Sequence, residues 1–156
     1  MSILTSEARI RFQDCDPFQH LNNARYIDYF LNSRGDQIWE HYKIDIYGSQ
    51  GFSWVVGSNQ IAYFKPALLN EKIYIETQVI AFSERFIKVE MRMYASKDKT
   101  LKALLWVDSI PINLKTMRLD SHSPQLMEVF TKAVIPVDEA IFEDRKKAIL
   151  TAQRAN

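Results

Sequence analysis

The sequence predicts an α+β fold in which a curved antiparallel sheet of five or more strands wraps around one long helix and a helical tail follows. Three observations lead to this class. Residues 22–42 combine helical length with one broad apolar stripe. Four segments of period-two alternation come after it, and short polar connections at 83–85 and 96–100 predict antiparallel hairpins. Such a sheet needs a cover for its apolar face, and the long helix is the candidate.

The first two predicted elements are a strand and the long helix. Residues 7–13 form the strand, because Ala8, Ile10 and Phe12 alternate with polar residues. A polar stretch follows, and either asparagine at 22–23 can cap the helix by accepting a hydrogen bond from a free backbone N–H. Gly35 makes an unbroken helix less favourable, since glycine costs about 1 kcal/mol inside one.

Four further strands are predicted from alternation at period two, over residues 52–65, 72–80, 86–94 and 101–114. A bend is expected near Gly57. The clearest pattern lies in the third of these segments, where apolar residues from Ile87 to Met93 alternate with charged ones. We expect Met91 and Met93 in the core, together with the aromatic residues Trp39 and Tyr42 of the helix.

The tail is predicted to be helical. Ser123 and Pro124 are typical of an N-cap and a first helical residue, for a helix ending near Lys132. Asp138 is the expected cap of a second helix that ends near Gln153. We expect one domain over residues 1–156, with its core at about 6–114 and its tail at about 121–153. A single-layer sheet with open edges predicts a homodimer or homotetramer.

Composition and charge exclude several classes of partner. Apolar residues make up 47% and charged residues 25% of the 156 residues, which is ordinary for a globular protein. The formal net charge of +1 gives no electrostatic reason to expect nucleic acid or a membrane surface as partner. Cys15 is the one cysteine, and neither a signal peptide nor an apolar run of roughly 20 residues is present. We therefore expect a cytoplasmic protein.

The chemistry-bearing groups are concentrated between the first strand and the long helix. Asp14, Cys15, Asp16 and His20 all lie there, a few residues before the expected helix start. A helix N-terminus offers unpaired backbone N–H groups and a partial positive charge, which polarise a carbonyl and stabilise an oxyanion. A carboxylate held close by can activate water as a general base or attack directly.

These residues resemble a known family. Residues 14–17 (DCDP) and 20–26 (HLNNARY) resemble the motif of the 4-hydroxybenzoyl-CoA thioesterase and acyl-CoA thioesterase group, within the hotdog-fold superfamily. Residues 63–67 (YFKPA) are similar to a strand end of that group. The resemblance implies a hotdog fold over roughly residues 6–114 and hydrolysis of an acyl-CoA thioester, with neither cofactor nor metal.

The resemblance also implies roles for three residues. Asp16, the second aspartate of its run, is the implied catalytic carboxylate, as general base or nucleophile. The backbone N–H at Asn23 is the implied group that polarises the thioester carbonyl. His20 is a candidate helper that orients the loop or contacts substrate, and a purely structural histidine is an equal alternative.

Two other functions stay open at this point. Acyl-ACP thioesterases share a related block, but Phe18 stands where their functional asparagine would be. A non-catalytic module that binds acyl thioesters is the other alternative. Some family members bind the CoA nucleotide with a basic cluster before the third strand, whereas residues 82–84 here are not basic. Other strand cations are expected to be solvated rather than to contact CoA, namely Arg85, Lys88, Lys97 and Lys102.

The remaining polar residues have simpler interpretations. Cys15 lies between two carboxylates, which should raise the pKa of its thiol and disfavour a nucleophilic role. Asp14 is expected to pair with a neighbouring arginine. His41 and His122 lie far from His20 in sequence, and no spacing predicts a metal site.

Overall fold

One antiparallel sheet and one long helix dominate the computed structural model, which describes residues 3–155. The strands are β1 (Leu4–Arg9), β2 (Phe52–Tyr63), β3 (Lys72–Ser83), β4 (Phe86–Ala95), β5 (Leu101–Asn113) and β6 (Arg118–Leu119). The helices are α1 (Tyr26–Tyr42), α2 (Pro124–Ala133) and α3 (Phe142–Arg154). Short 3-10 turns occupy 12–14 and 23–25. The predicted element order and fold class are confirmed.

The main strands lie in the order β1-β3-β4-β5-β2, and every neighbouring pair is antiparallel. The register shifts at three places, between Val56 and Ser58, between Val79 and Ala81, and between Met93 and Tyr94. Such bulges bend a strand and increase its twist, which lets the sheet curve around a helix. The first of them confirms the bend expected near Gly57.

The core lies between α1 and the inner face of the sheet. Tyr26 and Phe30 of α1 are buried, and they belong to one apolar cluster with Ile75, Met91 and Leu105 of the central strands. Burying an apolar side chain of this size stabilises the fold by about 1.5–3 kcal/mol. Burial of this row on β4 confirms the expectation made from its alternation.

The outer face of the sheet is covered as well. Phe142 of α3 packs on Leu104 and Trp106, and the side chains of Glu90 and Arg92 are buried beside them. Glu90 and Arg92, which alternate with the apolar row of β4, are therefore not solvated. Alternation shows which residues share a face, but it does not show whether another element covers that face.

Lys102 departs from expectation for the same reason. Its side chain is 8% exposed, and its ammonium pairs with Glu71 at 3.1 Å and donates to the carbonyl of Pro66 at 2.9 Å. Lys88 is partly covered too, 4.8 Å from the ring centre of Trp106. Both side chains therefore make contacts within the fold and are not freely solvated.

The first strand is shorter than its pattern suggested. It ends at Arg9, and residues 12–14 form a 3-10 turn. Ile10 is fully buried as expected, whereas Phe12 is 80% exposed. The chain leaves the sheet before Phe12, so the strand alternation of inward- and outward-facing side chains no longer applies to Phe12.

Helix details differ in four places. The α-helix begins at Tyr26, because Asn22 caps the preceding 3-10 turn instead. Gly35 does not interrupt α1, and a Cβ there would lie 2.9 Å from the hydroxyl of Tyr47, so any other residue would displace that exposed ring. Trp39 is 50% exposed rather than in the core, and Ile141 rather than Asp138 is the N-cap of α3.

Candidate active site at the start of the long helix

Asp16 lies in a closed loop that precedes the helical segment in the chain. The backbone N–H of Asp16 donates to the carbonyl of His20 at 2.8 Å, and Gln19 donates back to Asp16 at 3.0 Å. Gln19 has a φ of 63°, which lets the chain turn this tightly. The flanking residues Cys15 and Leu21 form a β-bridge that closes the loop.

The carboxylate of Asp16 is held by one of its two oxygens. Oδ1 accepts hydrogen bonds from the backbone N–H groups of Phe18 at 2.9 Å and His20 at 3.2 Å. Oδ2 accepts no hydrogen bond from any residue in the range 3–155. The side chain is partly buried, so its orientation is fixed while one oxygen stays available to a water or a substrate.

The helix start offers an unpaired donor close to this loop in sequence. The side-chain oxygen of Asn22 accepts from the N–H of Ala24 at 2.9 Å and so caps the turn. The preceding N–H, that of Asn23, donates to no acceptor within residues 3–155. Asn23 is an exposed residue. Such leading N–H groups carry the partial positive charge of a helix start.

His20 contributes to this geometry through its backbone. Its N–H holds Asp16, its carbonyl accepts from Asp16, and it forms a β-bridge with Leu68. The imidazole is partly buried and lies 6.4 Å from the ring of Phe18, centre to centre. No hydrogen bond of the imidazole is found within the described part of the chain. The side chain is therefore not the group that orients Asp16.

Asp14 and Cys15 are occupied elsewhere. The hydroxyl of Tyr29 donates to Asp14 at 2.6 Å and accepts from the N–H of Arg11 at 2.9 Å. The partner of Asp14 is thus a tyrosine, and the predicted pairing with arginine is wrong. Burial, followed by the hydrogen bond to Asp14, raises the pKa of Tyr29 to about 12. The hydroxyl stays protonated and keeps its donor role.

The thiol of Cys15 is not activated. Its Sγ donates to the carbonyl of Arg11 at 3.4 Å. Burial raises the pKa of the thiol, and the charges of Asp14 and Asp16 raise it further. The predicted direction is confirmed. A thiol with a raised pKa is a poor nucleophile near neutral pH, which argues against covalent catalysis by Cys15.

The segment 63–67 connects the site to the core, a role that the sequence did not reveal. The hydroxyl of Tyr63 donates to the carbonyl of Asn23 at 2.9 Å and fixes the peptide next to the free N–H. The N–H of Ala67 donates to the hydroxyl of Tyr26 at 3.1 Å, and its carbonyl accepts from Leu21 at 2.8 Å. The family-like pattern YFKPA was the only signal that pointed to this segment.

Exposed apolar side chains surround the site. Phe18 is 78% exposed, Leu68 45% and Tyr63 40%. Tyr63 is the last residue of the edge strand β2. Within residues 3–155, no group of three or more metal-ligating side chains is found, and no helix has the length and apolar content to span a bilayer.

Known proteins share this arrangement of elements. The model of the thioesterase-like superfamily matches residues 10–141. The long-chain acyl-CoA thioesterase FadM of Escherichia coli (strain K12) is 21% identical over 131 residues, which span 84% of this chain and 99% of that protein.

Solved structures agree in fold. A DHNA-CoA thioesterase from Staphylococcus aureus superposes with a TM-score of 0.76 at 20% identity, over 85% of this chain and 91% of that one. Another Staphylococcus aureus protein, solved in complex with CoA, gives a TM-score of 0.75 at 13% identity, over 88% and 89% of the two chains. At these identities the structures establish the hotdog fold.

Proposed function

This chain belongs to the thioesterase-like superfamily, and from that premise we propose that it hydrolyses an acyl-CoA thioester to a free acid and CoA. One observation carries the proposal. Asp16 is held by one oxygen with the other unused, in the loop that leads directly into a helix start whose Asn23 N–H is also unused. A base and an oxyanion donor are the two groups that thioester hydrolysis requires.

In the proposed reaction the thioester carbonyl oxygen accepts a hydrogen bond from the N–H of Asn23. Oδ2 of Asp16 takes a proton from a water molecule, whose oxygen bonds to the carbonyl carbon. The negative charge that develops on the carbonyl oxygen is stabilised by the N–H and by the partial positive charge of the helix start. The C–S bond then breaks, and the CoA thiolate takes up the proton from Asp16.

A nucleophilic role for Asp16 uses the same geometry. Its oxygen would bond to the carbonyl carbon, the CoA thiolate would leave, and water would hydrolyse the resulting anhydride. A single turnover in 18O-labelled water tests for the nucleophilic route. A labelled oxygen in the carboxylate of Asp16 would establish direct attack, with water opening the anhydride at the aspartyl carbonyl, because general-base catalysis leaves the enzyme unlabelled.

His20 is proposed as a positioning residue. Its backbone fixes Asp16, and its imidazole is free to contact the substrate within the described part of the chain. His20→Ala retains the backbone N–H, so we expect kcat to fall less than for Asp16→Asn. A rise in KM would assign the imidazole to substrate binding.

The site is proposed to be completed by a second copy of the chain. Strand β2 has 12 residues, pairs only with β5 among residues 3–155, and exposes its middle section, 55–60. A long unpaired edge is a template for another strand. Because α3 already covers the outer face of the sheet, we propose a homodimer across β2 rather than a homotetramer. We also propose a cytoplasmic location, which is consistent with the single thiol, that of Cys15, whose pKa is raised.

The test is release of free CoA from straight-chain and aromatic acyl-CoA thioesters, measured with a thiol reagent. Asp16→Asn should lower kcat at least about 10³-fold. Asp28→Asn is the matched control, since it removes an exposed carboxylate that pairs with Arg25 on the first turn of α1. It should retain activity.

Other outcomes would change the conclusion. Equal rates for the wild type and Asp16→Asn would reject the mechanism. Binding of acyl-CoA with no hydrolysis of any thioester would favour a binding module. Faster hydrolysis of acyl-ACP than of the same acyl-CoA would assign the carrier to a protein.

A further inference from the structure

Three neighbouring side chains form a partly apolar surface beside the candidate base. The ring of Phe18 is 78% exposed, and its centre lies 6.4 Å from that of the His20 imidazole. His20 and Leu68 are antiparallel bridge partners, so their side chains share one face with about 5 Å between their Cβ atoms. Leu68 is 45% exposed. We call Phe18, His20 and Leu68 the loop patch.

The backbone holds the loop patch in a fixed position. The N–H groups of Phe18 and His20 donate to Oδ1 of Asp16 at 2.9 and 3.2 Å. On the other side of the loop, the N–H of Leu69 donates to the carbonyl of Gln19 at 2.9 Å. A ligand that packs on such a patch orders little additional backbone, which favours binding.

Exposure alone does not distinguish Phe18, since single apolar residues are common on protein surfaces. Phe12 is 80% exposed as well, but it lies in a separate 3-10 turn and its N–H does not bind the carboxylate of Asp16. The ring of Phe18 instead belongs to the residue that holds the candidate base. A thioester that reacts at Asp16 therefore has one of its two substituents close to the loop patch.

The chemistry of the loop patch selects among the three parts of an acyl-CoA. An acyl chain is apolar throughout and is best bound away from water, whereas Phe18 is largely exposed. The nucleotide carries phosphates, and the loop patch contains no lysine or arginine to pair with them. The pantetheine arm between these parts alternates methylene and amide groups. Two apolar side chains and an imidazole match that alternation, because the imidazole can exchange a hydrogen bond with an amide.

Resting on the proposed hydrolysis, we propose that the loop patch binds the pantetheine arm and that Phe18 is its main contact. The ring packs on the apolar groups of the arm, and the imidazole of His20 hydrogen-bonds to an amide. The imidazole has no such partner among residues 3–155. Phe18 is thus a residue that determines specificity for the thiol half of the substrate rather than for the acyl half.

The test places one acyl group on three thiols, namely CoA, pantetheine and N-acetylcysteamine, which keeps only the first amide of the arm. Phe18→Ala should lower kcat/KM about tenfold for the CoA and pantetheine thioesters alike, mainly through KM, as loss of an aromatic anchor does. The N-acetylcysteamine thioester should react at nearly the wild-type rate, because it ends before the ring. Phe18→Leu should recover most of the loss, since it restores an apolar contact.

A binding measurement separates this proposal from the proposed hydrolysis. Asp16→Asn keeps an oxygen acceptor for the loop, and calorimetry with this variant measures binding of acyl-pantetheine without turnover. Adding Phe18→Ala or His20→Ala should weaken that binding, about tenfold for Phe18→Ala. The result does not depend on whether the wild type hydrolyses any thioester.

Phe12→Ala is the control matched in residue type and exposure, and it should behave as the wild type in each assay. Four results would overturn the proposal. An equal loss on all three thioesters would assign the ring to the acyl group or the carbonyl, and a loss on acyl-CoA alone would assign it to the nucleotide. A change of oligomeric state in Phe18→Ala, measured by sedimentation, would assign the ring to a contact between copies. Unchanged kinetics and binding would leave Phe18 without a role in the substrate complex.

Discussion

The two faces of the sheet are covered by different chemistry. The inner face packs on α1 with a continuous apolar row that includes Met91 and Leu105, both fully buried. The outer face combines Trp106 with the fully buried carboxylate of Glu90, and α3 covers it. Arg145 of α3 donates to both oxygens of Glu90, at 2.8 and 2.9 Å.

The two faces therefore have different roles, one in the stability of the fold and the other in the positioning of α3. Apolar burial is non-directional and tolerates any well-fitting neighbour. A buried carboxylate is favourable only when its partners are in place, and Glu90 has three of them: Arg92, Arg145 and the indole N–H of Trp106. We infer that the inner face supplies most of the folding free energy, while the outer face sets the position of the tail.

The largest effect is expected from matched truncations on the two faces. Phe30→Ala removes a fully buried ring from the inner core and should lower the free energy of unfolding by about 3–5 kcal/mol. Phe142→Ala, at the start of α3, should cost no more than the lower end of that range, because the helix can settle onto the gap. Urea denaturation measures both. A larger loss for Phe142→Ala would reverse the proposed ranking of the faces.

The second-largest loss of stability is expected from breaking the ion pairs around Glu90 on the outer face. Arg145→Met leaves Glu90 buried with two of its three partners, and we expect a loss of about 3 kcal/mol in unfolding free energy. Adding Glu90→Met to that variant removes the unpaired charge and should recover part of the loss, as a double-mutant cycle would show. Additive losses would mean that the two residues are not coupled. CoA release at low temperature should be retained, since the ion pairs of Arg145 are with Glu90 and Glu139 and not with the Asp16 loop.

The smallest effect on the free energy of unfolding is expected from pH, and residues on the two faces should act over different pH ranges. His122, on the inner side, accepts from the indole of Trp54 at 2.9 Å and contacts the carbonyl of Ser83 at 2.8 Å. Burial lowers the pKa of His122, with the bond to Ser83 opposing. The unfolded chain then binds more protons, so stability falls as pH drops below about 6.5 and through the folded value.

Glu90 should act at lower pH. Burial alone would raise the pKa of its carboxyl, but hydrogen bonds from Arg145 and Trp106 and the charge of Arg92 outweigh burial and lower it. Its contribution is present above the unfolded value of about 4.3 and is lost as pH falls through the folded value. Unfolding curves at successive pH values should show both steps, and His122→Gln should remove only the upper one. Loss of both steps in that variant would contradict the assignment.

The local sequence identified the fold and the location of the candidate site for a simple reason. Alternation, helical period and turn residues act over a few positions, and they predicted β4, α1 and the N-cap at Ser123. The DCDP and HLNNARY runs both lie in the 13-residue segment 14–26, so the loop and the helix start are built from one short segment. Their closure by Asp16 and His20 is likewise local.

Contacts between segments that are distant in sequence could not be predicted from these local patterns. The pairing of Asp14 with Tyr29 and the bond from Tyr63 to Asn23 join residues 15 and 40 positions apart. The cover that α3 places over Glu90 joins positions 55 apart. The sequence by itself determined which residues face which way along each element. Only the tertiary structure decided which faces are covered, because coverage depends on where the chain returns. That return buried Glu90 with its partners.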